Sequence, residues 1–218
     1  MQSAPKELEQ RGWIFLRTYR PDAPCAEVAA SLGFAVEPLN GSSVRTLRVH
    51  SREAAPPNTY GGIYGTGEIP FHTDLAHWSV PPRYAMLRCI RGYPDVHTEV
   101  VSSAHVVESV GKLALRRALA LPRRPLGGRR VLCRLHEDWG HGLFRWDSAF
   151  LTPATKESSL IFAEVEDCLR MLRGDNFSLS SKGDTLLFDN WRVLHRRSDV
   201  SDPSRSRELE RAYLRVPN

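Results

Sequence analysis

Residues 183–197 read GDTLLFDNWRVLHRR, and the division of this stretch decides the fold. An apolar run, a break at Asp189 and Asn190, and a second apolar run that delivers His195 make two strands joined by a tight turn. Residues 207–216, RELERAYLRV, supply the next strand, and FSLS at 177–180 supplies one before it. Upstream, apolar positions recur on one face from Lys156 to Arg173, which predicts one long amphipathic helix closed by GDN. Further back, residues 131–150 divide into two strands around a His/Gly turn, and LPRRPLGGRR at 121–130 is punctuation. A helix is expected from Ala104 to about Ala120, capped by Ser102 or Ser103. RYAMLRCI at 83–90, HTEVV at 97–101, VRTLRVH at 44–50 and GWIFLRTY at 12–19 are strands. Short helices are expected at 4–10 and between Pro21 and Gly33, while the Pro- and Gly-rich stretch 53–70 reads as an irregular loop of the kind that carries function. Strands predominate and no strand–helix alternation persists, so the expected fold is mostly β with flanking helices, a double-stranded β-helix (jelly roll) barrel formed by residues 1–218 as one domain.

Composition agrees with a globular chain of this size. The 218 residues are 41% hydrophobic and 25% charged, with 15 Gly and 15 Pro, which excludes collagenous, coiled-coil and disordered classes. No apolar run approaches the roughly 20 residues of a membrane helix. The polar opening MQSAPKELEQ is unlike a signal peptide, so a cytoplasmic location is expected. Cys25, Cys89, Cys133 and Cys168 are far apart and form no CxxC pair, which predicts four reduced thiols. The net charge of +5 is a mild excess, with arginines crowded at 116–134 and 192–215. It suits steering of an anionic small molecule. A nucleic-acid binder shows a denser stripe with aromatic support, so the arginines read as solvated.

Three H-x-[DE] pairs occur: His72/Asp74, His97/Glu99 and His136/Asp138. Recurrence removes weight from the pattern itself, and context separates the three. His72 and Asp74 follow a Gly- and aromatic-rich loop, and on a strand positions i and i+2 share a face. His136/Asp138 lies in a polar turn expected to face water. The best third donor is His195. Two histidines and one carboxylate on one side of an ion form the facial triad of non-haem Fe(II) oxygenases, and Arg207 follows on the next strand.

The segments FHTD, GDTLLFDNWRVLH and RELERAY resemble the Fe(II)/2-oxoglutarate dioxygenases of the taurine dioxygenase (TauD/TfdA) superfamily, the last two being most similar to its γ-butyrobetaine hydroxylase branch. The opening ELEQRGWIFLR is similar to the family's N-terminal helix and strand. The resemblance implies that His72, Asp74 and His195 hold Fe(II), that Arg207 pairs with the far carboxylate of the cosubstrate 2-oxoglutarate, and that Thr98 hydrogen-bonds the same carboxylate. Asp95, Val96 and His97 stand where the family usually has Gly-Gly-Asp before that threonine. The implied reaction consumes O2 and hydroxylates or desaturates an unactivated carbon of a small molecule such as an amino acid, a betaine or a natural-product intermediate. Relatives that halogenate carry Gly or Ala in place of the carboxylate, so Asp74 implies no halogenation. Tyr64, Tyr213 and Tyr60 resemble parts of an aromatic cage for a trimethylammonium group, and Arg211 is placed to reach substrate from the strand of Arg207.

Two other classes stay open at this point. Arg205 and Arg211 give an R-x5-R spacing resembling the AlkB-type nucleic-acid demethylases. The other is a non-catalytic jelly-roll binding protein, or a cupin-like hydrolytic metal site built from His136, Asp138 and His141.

Overall fold

The computed structural model describes residues 4–38, 43–125, 127–140 and 142–217. The chain opens with α1 (Ala4–Arg11), β1 (Trp13–Leu16), α2 (Cys25–Ser31), β2 (Ala35–Val36) and β3 (Arg45–Arg48). Next come α3 (Tyr60–Tyr64), β4 (Ile69–His72), β5 (Tyr84–Arg91), β6 (His97–Ser102), α4 (Ala104–Val110) and α5 (Lys112–Arg117). The middle holds β7 (Leu119–Pro122), β8 (Cys133–Arg134), β9 (His136–Glu137), β10 (Leu143–Phe144) and β11 (Leu151–Pro153). The chain closes with α6 (Lys156–Met171), β12 (Asp175–Ser178), β13 (Thr185–Asp189), β14 (Val193–Arg197) and β15 (Glu208–Arg215).

Two antiparallel sheets carry the molecule. The larger has the order β1-β13-β5-β15-β2, with β3 also on β15, and the smaller the order β12-β6-β14-β4. Leu87 and Cys89 of β5, Val100 of β6, Phe188 of β13, Val193 of β14 and Leu209 of β15 form one buried cluster, so the sheets pack face to face. A second cluster lies between α1, α2 and the larger sheet, and a third under α4, α5 and α6. The chain is therefore mostly β with flanking helices, as expected. Among the described residues no strand pairing joins the sheet edges, so the closed barrel is not part of the observed pairing.

Alternation along β15 shows how sequence builds this layering. Leu209 and Tyr213 point between the sheets, while Ala212 and Leu214 pack toward α1 and α2. A register shift between Glu208 and Leu209 sits where the strand starts, next to Arg207. The helix expected from Ala104 to about Ala120 is two helices. Gly111, at φ +92°, lies between them in a conformation an L side chain resists, and Ala118 is already extended ahead of β7. The expected irregular loop at 53–70 contains α3, capped by Thr59, whose hydroxyl accepts from Gly62 N, and the start of β4. A Cβ at Gly62 would fall 2.2 Å from Pro56 O, so this tight coil requires glycine there.

Buried Arg88 donates to Tyr19 O, Arg20 O, Ala23 O and Thr185 Oγ1, tying the segment before α2 to the larger sheet. All four cysteines are free: Cys25, Cys89 and Cys133 are buried and Cys168 is partly exposed. Burial pushes the Cys25 thiol up to about 12 and the Cys89 thiol to about 11, leaving almost no thiolate near neutrality. Iodoacetamide at pH 8 should therefore label Cys168 in the native protein and the other three only after unfolding. Prompt native labelling of Cys25, read by peptide mass spectrometry, would contradict the packing of α2.

Candidate metal centre

The two histidines are brought together by strand pairing alone, because His195 of β14 stands directly opposite His72 of β4. Their rings lie 4.2 Å apart. Asp74 Oδ1 is 3.9 Å from His72 Nε2 and 4.0 Å from His195 Nε2. Among the described residues this is the one group of three such donors within 4.8 Å of one another, and all three residues are buried. His97 instead faces Ser178, Glu99 pairs with Arg196, and His136 is buried beside an exposed Asp138 that is held by Lys112 and Arg116. The expectation that His136 faces water is thus corrected, because its strand pairs with β10 and carries it inward. His141 lies outside the described residues.

Each donor is set by its neighbours. His72 Nδ1 donates to Pro70 O at 2.8 Å, and since a carbonyl can only accept, the proton sits on Nδ1 and the Nε2 lone pair is free. Asn190, in the β13–β14 turn, grips the backbone of Asp74 on both sides: its Oδ1 accepts from Asp74 N at 2.7 Å and its Nδ2 donates to Asp74 O at 2.9 Å. Asp189 beside it accepts from Arg83 and Arg192 and holds the turn in place. Burial, together with the nearby His72, drives the His195 pKa down to about 3, so that imidazole is neutral at any working pH. Burial would raise Asp74, but the Arg211 charge, at 3.0 Å from Oδ1, holds the carboxyl below its usual range. Asp74 Oδ2 and His195 Nδ1 are buried without hydrogen-bond partners. Two imidazole nitrogens and one carboxylate with an unpaired buried oxygen fit a divalent first-row ion.

A cavity of about 470 Å³ opens onto this cluster, and Thr98, Arg197, Arg207 and Arg211 also line it. Arg207 is 6% exposed, and its Nε and Nη2 have no hydrogen-bond partner. Burial, and then Arg197 nearby, lower its pKa to about 10, which leaves it charged at neutral pH. Arg197 donates to Gly65 O and Gly67 O, so a second cation stands at this end while also fastening the chain between α3 and β4.

The other expected residues divide. Tyr60 lines the cavity, its ring 4.6 Å from that of His72, and its hydroxyl donates to buried Asp147 at 2.5 Å. Tyr64 and Tyr213 are not among the lining residues. Tyr213 is buried, and burial followed by the Asp74 charge raises its phenol well above the ordinary value. Arg205 is exposed and paired with Asp202, so it does not join Arg211. Arg145 is fully buried and braces the carbonyls of Ala76, Trp78 and Ser79. Asn190, Asp147 and Arg197 were not expected. Asn190 sits in the Asp-Asn turn that marks the strand break, but nothing local in sequence shows what its amide holds.

Among curated proteins no sequence match is found. Solved structures show the fold. Asparagine oxygenase, in complex with Fe(II), 2S,3S-3-hydroxyasparagine and succinate, superposes with a TM-score of 0.62 at 19% identity over 80% of this chain and 57% of that one. PvcB, an Fe, alpha-ketoglutarate dependent oxygenase from an isonitrile synthetic pathway, superposes with a TM-score of 0.68 at 17% identity over 98% and 80%; another structure of PvcB is from Pseudomonas aeruginosa. The non-heme iron oxygenase OrfP with Fe and alpha-ketoglutaric acid gives 0.62 at 17% identity over 82% and 58%. The chain thus spans a little more than half the length of asparagine oxygenase and OrfP. The profile of the taurine catabolism dioxygenase TauD, TfdA family matches residues 6–213, and the chain belongs to that family.

Proposed function

We propose that the protein is an Fe(II)- and 2-oxoglutarate-dependent oxygenase that hydroxylates or desaturates a carbon of a small anionic molecule of the amino-acid type, its two facing sheets being the halves of a double-stranded β-helix. One observation carries this reading: the uncompensated guanidinium of Arg207 shares a cavity with the His72, Asp74, His195 cluster. A buried cation without a partner is costly unless an anion comes to it. His72, Asp74 and His195 would hold the iron, which when bound supplies dioxygen activation coupled to decarboxylation of 2-oxoglutarate, and so the oxidising power that removes hydrogen from carbon.

The chain's own residues do the rest. Arg207 offers a planar fork to the far carboxylate of 2-oxoglutarate, and Thr98 adds a hydroxyl donor. Arg211 stays charged against Asp74 and keeps that carboxylate ionised. Tyr60, held by Asp147, covers one side of the His72 ring, and Phe150 packs on Tyr60. With Leu75, Leu87 and Leu209, these groups make an apolar wall that limits water near the reacting carbon. Arg45 at the cavity mouth favours an anionic substrate, and asparagine oxygenase and OrfP carry hydroxylated amino acids in their structures. The γ-butyrobetaine-like reading needs a three-sided cage, whereas Tyr60 is the one of its three tyrosines that lines the cavity.

The test is iron-dependent release of succinate from 2-oxoglutarate, screened against free amino acids, betaines, sulfonates and peptides. Stimulation by an amino acid is expected; absence of any iron-dependent succinate would overturn the proposal. In chloride buffer the product should be hydroxylated or desaturated, because Asp74 fills the carboxylate position. A chlorinated product by mass spectrometry would remove Asp74 from the ligand set.

A further inference from the structure

Residues 112–134, KLALRRALALPRRPLGGRRVLCR, contain eight cations and no Asp or Glu. Subtracting those eight from the net charge of +5 leaves −3 for the remainder, so the whole positive excess sits in this one segment. The fold does not disperse it. Antiparallel pairing of β7 with β8, Leu119 opposite Arg134 and Ala120 opposite Cys133, brings Arg123 and Arg124 to the same end of a hairpin as Arg129 and Arg130. All four are exposed, as are Arg116, Arg117 and Arg134. Among the described residues Asp138 is the acid that meets the segment, and it is taken by Lys112 and Arg116. The arginines at the hairpin end have no ion pair among the described residues. Apolar side chains stand exposed between them, Leu132 at 51% and Val131 at 45%.

We propose that this hairpin is a docking surface for a protein partner with an acidic face. Mutual repulsion of unpaired guanidinia is relieved by an anionic partner, and charge complementarity of this kind steers encounter. Val131 and Leu132 call for an apolar counterpart, which a protein supplies and a phosphate backbone does not. The segment has no Phe, Trp or Tyr on which bases would stack, and no Ser, Thr, Asn or Gln to read them. A membrane anchor would show interfacial aromatics or an amphipathic helix, and the hairpin end has neither. The surface also adjoins the cavity, since Arg123 N donates to Phe150 O and Arg123 Nη2 to Ser148 O, and Phe150 is part of the cavity wall. A docked partner would therefore bear on the segment that carries Phe150 into the cavity wall.

The experiment measures binding of a labelled 20-residue helical peptide with Glu on one face and Leu on the other, by fluorescence anisotropy at low and high salt. Arg124→Glu, Arg129→Glu and Arg130→Glu together should weaken binding at least tenfold. A control with the same charge change on other exposed arginines, Arg17→Glu, Arg170→Glu and Arg205→Glu, should weaken it less than threefold, and basal succinate release should stay unchanged in both. Equal losses in the two triple variants, no binding of the peptide, or tighter binding of a 20-nucleotide DNA or of phosphatidylserine vesicles would each overturn the proposal.

Discussion

His72→Ala and His195→Ala should each lose Fe(II) affinity by at least ~100-fold, the upper end of what removal of a mere supporting residue around a metal costs. Iron-dependent succinate release should fall below detection in both. The histidine variants are cleaner probes than an Asp74 variant. Asp74 is the partner of Arg211, 3.0 Å away, and truncating it would strand a buried cation at about 3–5 kcal/mol. Neither histidine variant strands a charge: His72 gives up one hydrogen bond to Pro70 O and its contact with Tyr60, and His195 its contact with Phe188. Anaerobic titration of Fe(II) against a competing chelator, with circular dichroism as the check on folding, reads the result. Full iron occupancy in either variant would strike that residue from the ligand set.

Arg207→Met should move activity and stability in opposite directions. A bidentate charge-assisted pair in a partly buried site contributes about 2–4 kcal/mol, so the KM for 2-oxoglutarate should rise ~30- to ~1000-fold. Stability should rise as well. The Arg207 pKa is depressed to about 10, chiefly by burial, so the folded state carries the charged form at a cost at every pH below that value. The cost is relieved as pH climbs through 10 toward the unfolded value, and a methionine of similar length removes it at neutral pH. Melting temperature should gain ~2–4 °C for each kcal/mol recovered. An unchanged KM would pass the role to another cation, with Arg197 the nearest candidate, and a lowered melting temperature would show that Arg207 is satisfied within the fold.

The parts of the fold legible in the sequence were those that local pattern controls. Residues 183–197 divide into β13 and β14 at Asp189 and Asn190 as their apolar runs require, and α6 follows its periodicity from Lys156. The break at Gly111 was not legible, because apolar spacing continues across it and only the positive φ ends α4. Strands of two residues, such as β8, β9 and β10, are too short to show any period. At the candidate metal centre the residues that come together were readable, since His72 and Asp74 are two apart and His195 follows the apolar start of β14. What holds them was not. Asn190 reaches Asp74 across 116 positions and Tyr60 reaches Asp147 across 87, and such pairings are settled by topology. Arg197 looked like a solvated strand end until its carbonyl partners, Gly65 and Gly67, came from the loop before β4.

His72 and His195 face each other across β4 and β14, and β4 is the last strand in the order of its sheet. The spacing of the two rings thus starts from one backbone pairing at the edge of the sheet, beside a register shift between His195 and Arg197, and neighbouring groups complete it. An outermost strand is also where a sheet frays first, since it is zipped on one side only. Detachment of β4 would carry one claw of the pincer away while β6, β14 and the entire larger sheet stay assembled. On the proposed ligand set, fraying of β4 would then release the metal before the rest of the protein unfolds.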